Sequence, residues 1–177
     1  MKKLITFLSS LLSALLLTAC LGMPKQVQPI HNFQLDRYLG TWYEIARLDH
    51  SFERGLSNVT AQYSLLPNGQ VRVLNRGYSE QKKTWKQAEG KAAFVQTPNI
   101  GHLKVSFFGP FYSSYVITDL DESYQYALIS GYSHAYLWIL SRQPQIPDTV
   151  KNRLIAKAQS LGFDTTQLIF VQHTAPQ

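Results

Sequence analysis

Between Trp42 and Ser141 the chain repeats one pattern, short runs in which apolar and polar residues alternate, each closed by turn residues. A period of two marks strands buried on one face. The runs are Trp42–Asp49, Asn58–Leu66, Gln70–Tyr78, Lys83–Val95, Leu103–Phe108, Phe111–Thr118, Tyr124–Gly131 and Ala135–Ser141. Tight connections such as Pro67-Asn68-Gly69 and Gly109-Pro110 join most of them. Ten tyrosines and three tryptophans, none before residue 38, suit strands as well. Eight successive antiparallel strands in an open sheet would leave two unpaired edges. Closure removes both, so the sequence predicts an all-β fold, an eight-stranded up-and-down antiparallel barrel. Its bore is just wide enough for one small ligand, provided its own side chains do not fill it.

The flanks differ. Leu35 to Leu39 reads as a helical turn stopped by Gly40. After the strands, Pro147-Asp148 opens a helix of about residues 147–161, with Val150, Leu154, Ala158 and Leu161 on one face and Gly162 as its cap. That face must pack on the barrel wall. A short strand, Leu168 to Val171, follows.

The N-terminus reads as a leader. Met1-Lys2-Lys3 precedes an apolar run from Leu4 to Leu17, too short to span a bilayer and of secretory length. It ends in Leu17-Thr18-Ala19-Cys20, which resembles the bacterial lipobox. The resemblance implies removal of residues 1–19 and a Cys20 carrying an S-diacylglycerol and an N-acyl chain, enough for stable anchoring. Leu21, where inner-membrane lipoproteins usually carry Asp, points to the outer membrane, with the protein on its periplasmic face. Residues 20–31, with Gly22, Pro24 and Pro29, read as a lipidated tether reaching about 18 Å. Residues 32–177 form the barrel domain.

Cys20 is the only cysteine, so no intrachain disulfide forms. With two methionines and five scattered histidines, there is little material for a metal or redox centre, and no cofactor is expected. The net charge of +6 is moderate, and the Lys82-Lys83 and Lys86 cluster reads as a solvated hairpin, which argues against nucleic acid.

In an up-and-down meander the start of the first strand and the ends of the sixth and eighth meet at one end. The residues there are Gly40-Thr41-Trp42, Thr118-Asp119 and Ser141-Arg142. In order and spacing they resemble the three motifs of the lipocalins. The stretches Gly40 to Arg47 and Trp138 to Arg142 are most similar to the lipoprotein lipocalins of bacteria, relatives of apolipoprotein D. The resemblance implies that Trp42 plugs the closed end and Arg142 packs across its ring. Apolipoprotein D-like members often carry disulfides, and this chain departs from them there.

Alternation sorts the interior. If Trp42 points inward, so do Glu44, Ala46 and Leu48. Pattern adds Tyr63, Val73 and Asn75, the small residues Ala88, Gly90 and Ala92, then Val105 and Phe107, and Tyr136 and Trp138. The sixth strand is ambiguous, since Tyr112, Ser114 and Val116 alternate with Phe111, Ser113, Tyr115 and Ile117. The expected ligand contacts are Ala46, Tyr63, Val73, Asn75, Ala92, Val105, Phe107, Tyr115, Tyr136 and Trp138. At the mouth, Phe52, Arg54 and Leu56 suggest a lid, and Arg47, Arg54, Arg76 or Lys82 a partner for an anionic head group.

An apolar bore with few polar atoms suits an elongated amphiphile with its head near the mouth. With the family resemblance, this predicts a non-enzymatic, membrane-anchored protein that stores or transports fatty acids or lysophospholipids in the cell envelope. Two other readings stand beside it. One is a structural or interaction lipoprotein that uses the barrel exterior, for instance Trp85 and Tyr115 in a homodimer. The other is a hydrolase or isomerase in the same barrel. Gly131-Tyr132-Ser133-His134-Ala135 approaches a nucleophile motif but lacks its closing glycine.

Overall fold

A computed structural model of the chain describes residues 21–174. The leader and Cys20 lie outside the described residues. A short helix α1 (Leu35–Tyr38) leads into β1 (Gly40–Arg47), β2 (Leu56–Leu65), β3 (Val71–Ser79), β4 (Thr84–Phe94), β5 (His102–Phe108), β6 (Phe111–Leu120), β7 (Tyr126–Ser130) and β8 (Leu137–Ser141). Helix α2 (Asp148–Ser160), a 3₁₀ turn (Thr165–Gln167) and β9 (Ile169–Phe170) complete the chain. Each of β2 to β7 pairs antiparallel with the next. β1 pairs with β8 on one side and β2 on the other, closing the barrel.

Closure between β1 and β2 is partial. Their ladder runs only from Gly40↔Tyr63 to Tyr43↔Thr60. Beyond it the C-terminal segment fills the seam. Ala46 and Arg47 pair with Phe170 and Ile169 of β9, the Val171 N–H donates to the Ile45 carbonyl, and the Asn58 N–H donates to the Gln172 carbonyl. β9 therefore supplies the hydrogen bonds that the diverging strands cannot give each other.

Two apolar cores lie on either side of the wall. The inner one gathers Trp42, Tyr63, Val73, Ala92, Leu103, Ile117 and Ile129. The outer one packs Leu154 and Ala158 of α2, with the capping residue Leu161, against Ile45, Ala46, Val116, Leu128 and Ile139. Gly162, at φ 86°, ends α2 as its composition predicts. A Cβ there would lie 3.1 Å from His134 Nε2.

Two expectations are corrected. The bulge between Glu44 and Ala46 inverts the alternation of β1, so Ala46 and Leu48 belong to the outer core and not to the bore. The expected tether is bound to the wall from Pro24 onward. Pro24 and Val27 are buried, the Ile30 N–H donates to the Ile117 carbonyl, and His31 bridges Ile100. Only Leu21, Gly22 and Met23 separate Cys20 from that contact, a reach of at most about 14 Å.

Candidate ligand cavity

The closed end is a fully buried indole held by one guanidinium. Arg142 lies over the Trp42 ring at 4.0 Å. Its Nη1 donates to the Thr41 carbonyl at 2.9 Å, and its Nη2 to those of Arg37 and Tyr38 at 2.8 and 3.1 Å. The indole N–H donates to Tyr38 O at 2.8 Å, tying α1 to the plug. Gly40 sits at φ 97°, and a Cβ there would lie 3.3 Å from Arg142 Nη1. Thr118 is buried beside a bulge in β6, and Asp119 turns outward to Arg153 of α2 at 2.8 Å. Gly40, Trp42, Thr118, Asp119 and Arg142 thus share the closed end, but Asp119 serves the helix.

Above the plug lies a cavity of about 660 Å³ that opens at the opposite end. Small-molecule sites fall in roughly the 300–1,000 Å³ range. Tyr63, Val73, Asn75, Ala92, Val105, Phe107, Tyr115, Tyr136 and Trp138 all line it. Ala46 does not, for the reason given above. The β6 ambiguity resolves by burial, with Tyr115 and Ile117 facing the inner core and Val116 the outer. Tyr115 is accordingly no surface contact. Trp85 does reach the surface, 39% exposed, with the Arg76 guanidinium stacked 4.1 Å from its ring. On β4 the small residues leave the room expected of them. The Phe107 ring lies over Gly90, where a Cβ would meet it at 2.8 Å.

Three phenols form a polar floor. The Tyr38 and Tyr63 hydroxyls each lie within 2.8 Å of the Tyr115 hydroxyl. Burial pushes all three well above the usual phenol range, so they stay protonated. Higher up, Asn75 Oδ1 is buried with no hydrogen-bond partner among the described residues. It is an acceptor left for whatever fills the bore.

A buried charged cluster braces one wall near the mouth, and the sequence reading missed it. Arg47 Nη1 donates to Glu44 Oε1 at 2.6 Å, and its Nη2 to the Glu53 carbonyl at 2.8 Å. The Trp138 indole donates to Glu53 Oε2 at 3.1 Å. His50 Nε2 lies 3.0 Å from the same oxygen, close but poorly aligned for a hydrogen bond. Burial raises the Glu44 carboxyl well above its usual range, and the Glu53 charge raises it further, against the pull of Arg47. Burial pushes Glu53 up too, but the His50 ring, the Trp138 N–H and Arg47 outweigh it and hold Glu53 low. The signal was the spacing of residues 44, 47, 50 and 53, which regular alternation would scatter over two faces. The bulge and the loop gather them.

Of the cations expected to meet a head group, Arg47 is consumed by this cluster, Arg54 pairs with Asp49, and Arg76 covers Trp85. Lys82 forms no ion pair among the described residues, and Lys86, an inward position on β4, lines the cavity. Leu56 and Phe52 line it as well. Ser133 and His134 are not brought together as a nucleophile and base. His134 Nε2 bonds the Leu161 carbonyl at 2.9 Å, and Ser133 Oγ accepts from the Ala135 N–H. Among the described residues no His/Cys/Asp/Glu group is placed to hold a metal ion, and no helix is long and apolar enough to cross a membrane.

Comparison with known proteins agrees with this geometry. A lipocalin-like domain matches residues 33–173. The chain is 56% identical to the outer membrane lipoprotein Blc of Vibrio cholerae over 163 residues, covering 92% of this chain and 95% of that protein. It is 48% identical to the outer membrane lipoprotein Blc of Escherichia coli K12, covering 96% and 97%. Rat apolipoprotein D is 34% identical over 128 residues, 66% of this chain and 64% of that protein. Among solved structures, insecticyanin from the tobacco hornworm Manduca sexta superposes with a TM-score of 0.70 over 87% of this chain and 88% of that one, at 19% identity.

Proposed function

This chain belongs to the lipocalin family, and from that premise we propose that it is an outer-membrane lipoprotein, anchored through Cys20, that encloses fatty acids or lysophospholipids in its bore and stores or carries them in the envelope. The observation that carries the reading is the one-ended cavity, apolar through most of its depth and floored by neutral phenols. Each methylene moved from water into such a lining contributes about 0.8 kcal/mol, so a chain of a dozen or more carbons prefers the bore to water.

The charge layout sets the orientation. An anionic head pushed down to the floor would meet only the neutral phenols of Tyr38, Tyr63 and Tyr115, whereas Lys86 stands near the mouth. The acyl tail therefore goes down and the head stays up. The work is binding and release, with no bond made or broken.

Native mass spectrometry of the delipidated protein, offered palmitate or lysophosphatidylethanolamine at micromolar concentration, tests this. A 1:1 complex is expected, and no bound species with either ligand overturns the reading. Release of a diacylglycerol-modified N-terminal fragment on proteolysis of membrane-extracted protein tests the Cys20 anchor separately.

A further inference from the structure

The rim of the cavity carries aromatic side chains that face water. Phe108 and Phe111 flank the Gly109-Pro110 turn as a register pair and are 81% and 75% exposed. Phe52, from the β1–β2 loop, is 58% exposed, and Tyr132, from the β7–β8 loop, 40%. Three separate loops thus deliver four rings to one opening, and all four line the cavity entrance. Scattered exposed apolar residues need no explanation, but a concentration around one opening marks a surface that meets something apolar.

At the mouth, Asp49 is taken up by Arg54 and Glu80 by Lys83, which leaves Lys82 and Lys86 without an ion pair among the described residues. At the closed end, Asp36, Asp121 and Glu122 stand with Arg37 and Arg142, and no such excess of cations appears. An apolar tip bordered by cations fits an anionic lipid surface, where rings enter the interfacial layer and lysines meet phosphates. A second copy fits worse, since a two-fold mouth-to-mouth contact would bring Lys82 and Lys86 of both copies to one ring. The packing of Pro24 agrees, because it keeps the barrel within about 14 Å of an acylated Cys20.

We propose that the mouth is a bilayer-contact surface, in which Phe108, Phe111, Phe52 and Tyr132 enter the interfacial layer of an anionic membrane and the bore opens directly onto lipid. This rests on the membrane-anchored reading above, and it adds that the mouth, rather than the wall or the closed end, faces the bilayer. Cargo then passes between bilayer and bore without crossing bulk water.

The test uses the protein purified from membranes and reconstituted into vesicles of phosphatidylethanolamine and phosphatidylglycerol whose acyl chains carry bromine. Phe111→Trp places a reporter at the tip. Its added fluorescence should be quenched at least about twofold relative to unbrominated vesicles, while Trp85→Phe leaves the quenching unchanged. An unquenched reporter overturns the proposal, as does one equally shielded without vesicles, which would indicate a second copy over the mouth. A Phe108→Ser/Phe111→Ser protein should extract a fluorescent lysophospholipid from vesicles on the order of tenfold more slowly, and an unchanged rate overturns the direct route. If the native protein takes up no lysophospholipid at all, the functional reading fails. Failed quenching with intact uptake sinks this inference alone.

Discussion

Arg142 closes the barrel floor from outside while Trp42 closes it from within, the guanidinium lying 4.0 Å above the indole ring. The same cation satisfies the carbonyls of Arg37, Tyr38 and Thr41. One side chain therefore fixes the entry helix, the start of β1 and the end of β8.

Arg142→Ala should lower unfolding free energy by about 2–4 kcal/mol, since it removes a cation–π contact and leaves carbonyls without their donor. Arg142→Lys should recover less than half of that, because an ammonium cannot both cover the ring and reach three carbonyls. Urea midpoints of the purified variants check both. A lysine variant as stable as the native protein would show that charge alone suffices.

Gly40→Ala should cost about 1–2 kcal/mol in the same assay. At φ 97° an L side chain is strained, and its Cβ would press on Arg142 Nη1. In the Arg142→Ala background the steric part of the cost should disappear and the strain part remain, which a double-mutant cycle separates.

Ala88→Phe should weaken lysophospholipid affinity at least about tenfold while changing stability by less than about 1 kcal/mol. Ala88 faces the bore opposite Asn75 and lines the cavity, so the added ring takes the tail's volume. Titration calorimetry reads the affinity and thermal melting the fold. Unchanged affinity would mean that the ligand lies elsewhere.

The buried carboxyl pair predicts how stability follows pH. Glu44 holds its proton more tightly folded than unfolded, because of burial and the Glu53 charge. Its contribution is complete below the ordinary value of 4.5 and is lost as pH rises from there through its raised folded value. Glu53 is held low, so its contribution is present above 4.5 and lost as pH falls. Stability should therefore fall on both sides of a mildly acidic optimum. Glu44→Gln should flatten the alkaline limb and Glu53→Gln the acid limb, read from urea midpoints between pH 3 and 9.

The strands, the plug and most of the cavity lining were legible because alternation and turn residues are local. Tyr63, Val73, Val105 and Trp138 follow the pleat without interruption. Ala46 was misplaced because the bulge after Glu44 arises from pairing with β8, which no window of β1 reveals. Tyr115 could not be oriented because both faces of β6 are apolar, one turned to the bore and the other to α2. The Glu44–Arg47–His50–Glu53 cluster stayed hidden for a related reason, since its assembly needs the bulge and the folding-in of a loop. Pro24 and Val27 sit among prolines and polar residues that read as linker, and only the outer core's demand for cover binds them to the wall.

The sealed floor governs how cargo can travel. With Trp42 and Arg142 stoppering one end, the bore is a dead end and cannot pipe molecules from one leaflet or compartment to another. Whatever goes in must leave by the same doorway, in reverse order. Delivery to a distant recipient would require the whole molecule to travel, and the anchor proposed at Cys20, only three residues before the wall-bound Pro24, would deny it that freedom and confine its commerce to the patch of membrane where it is moored.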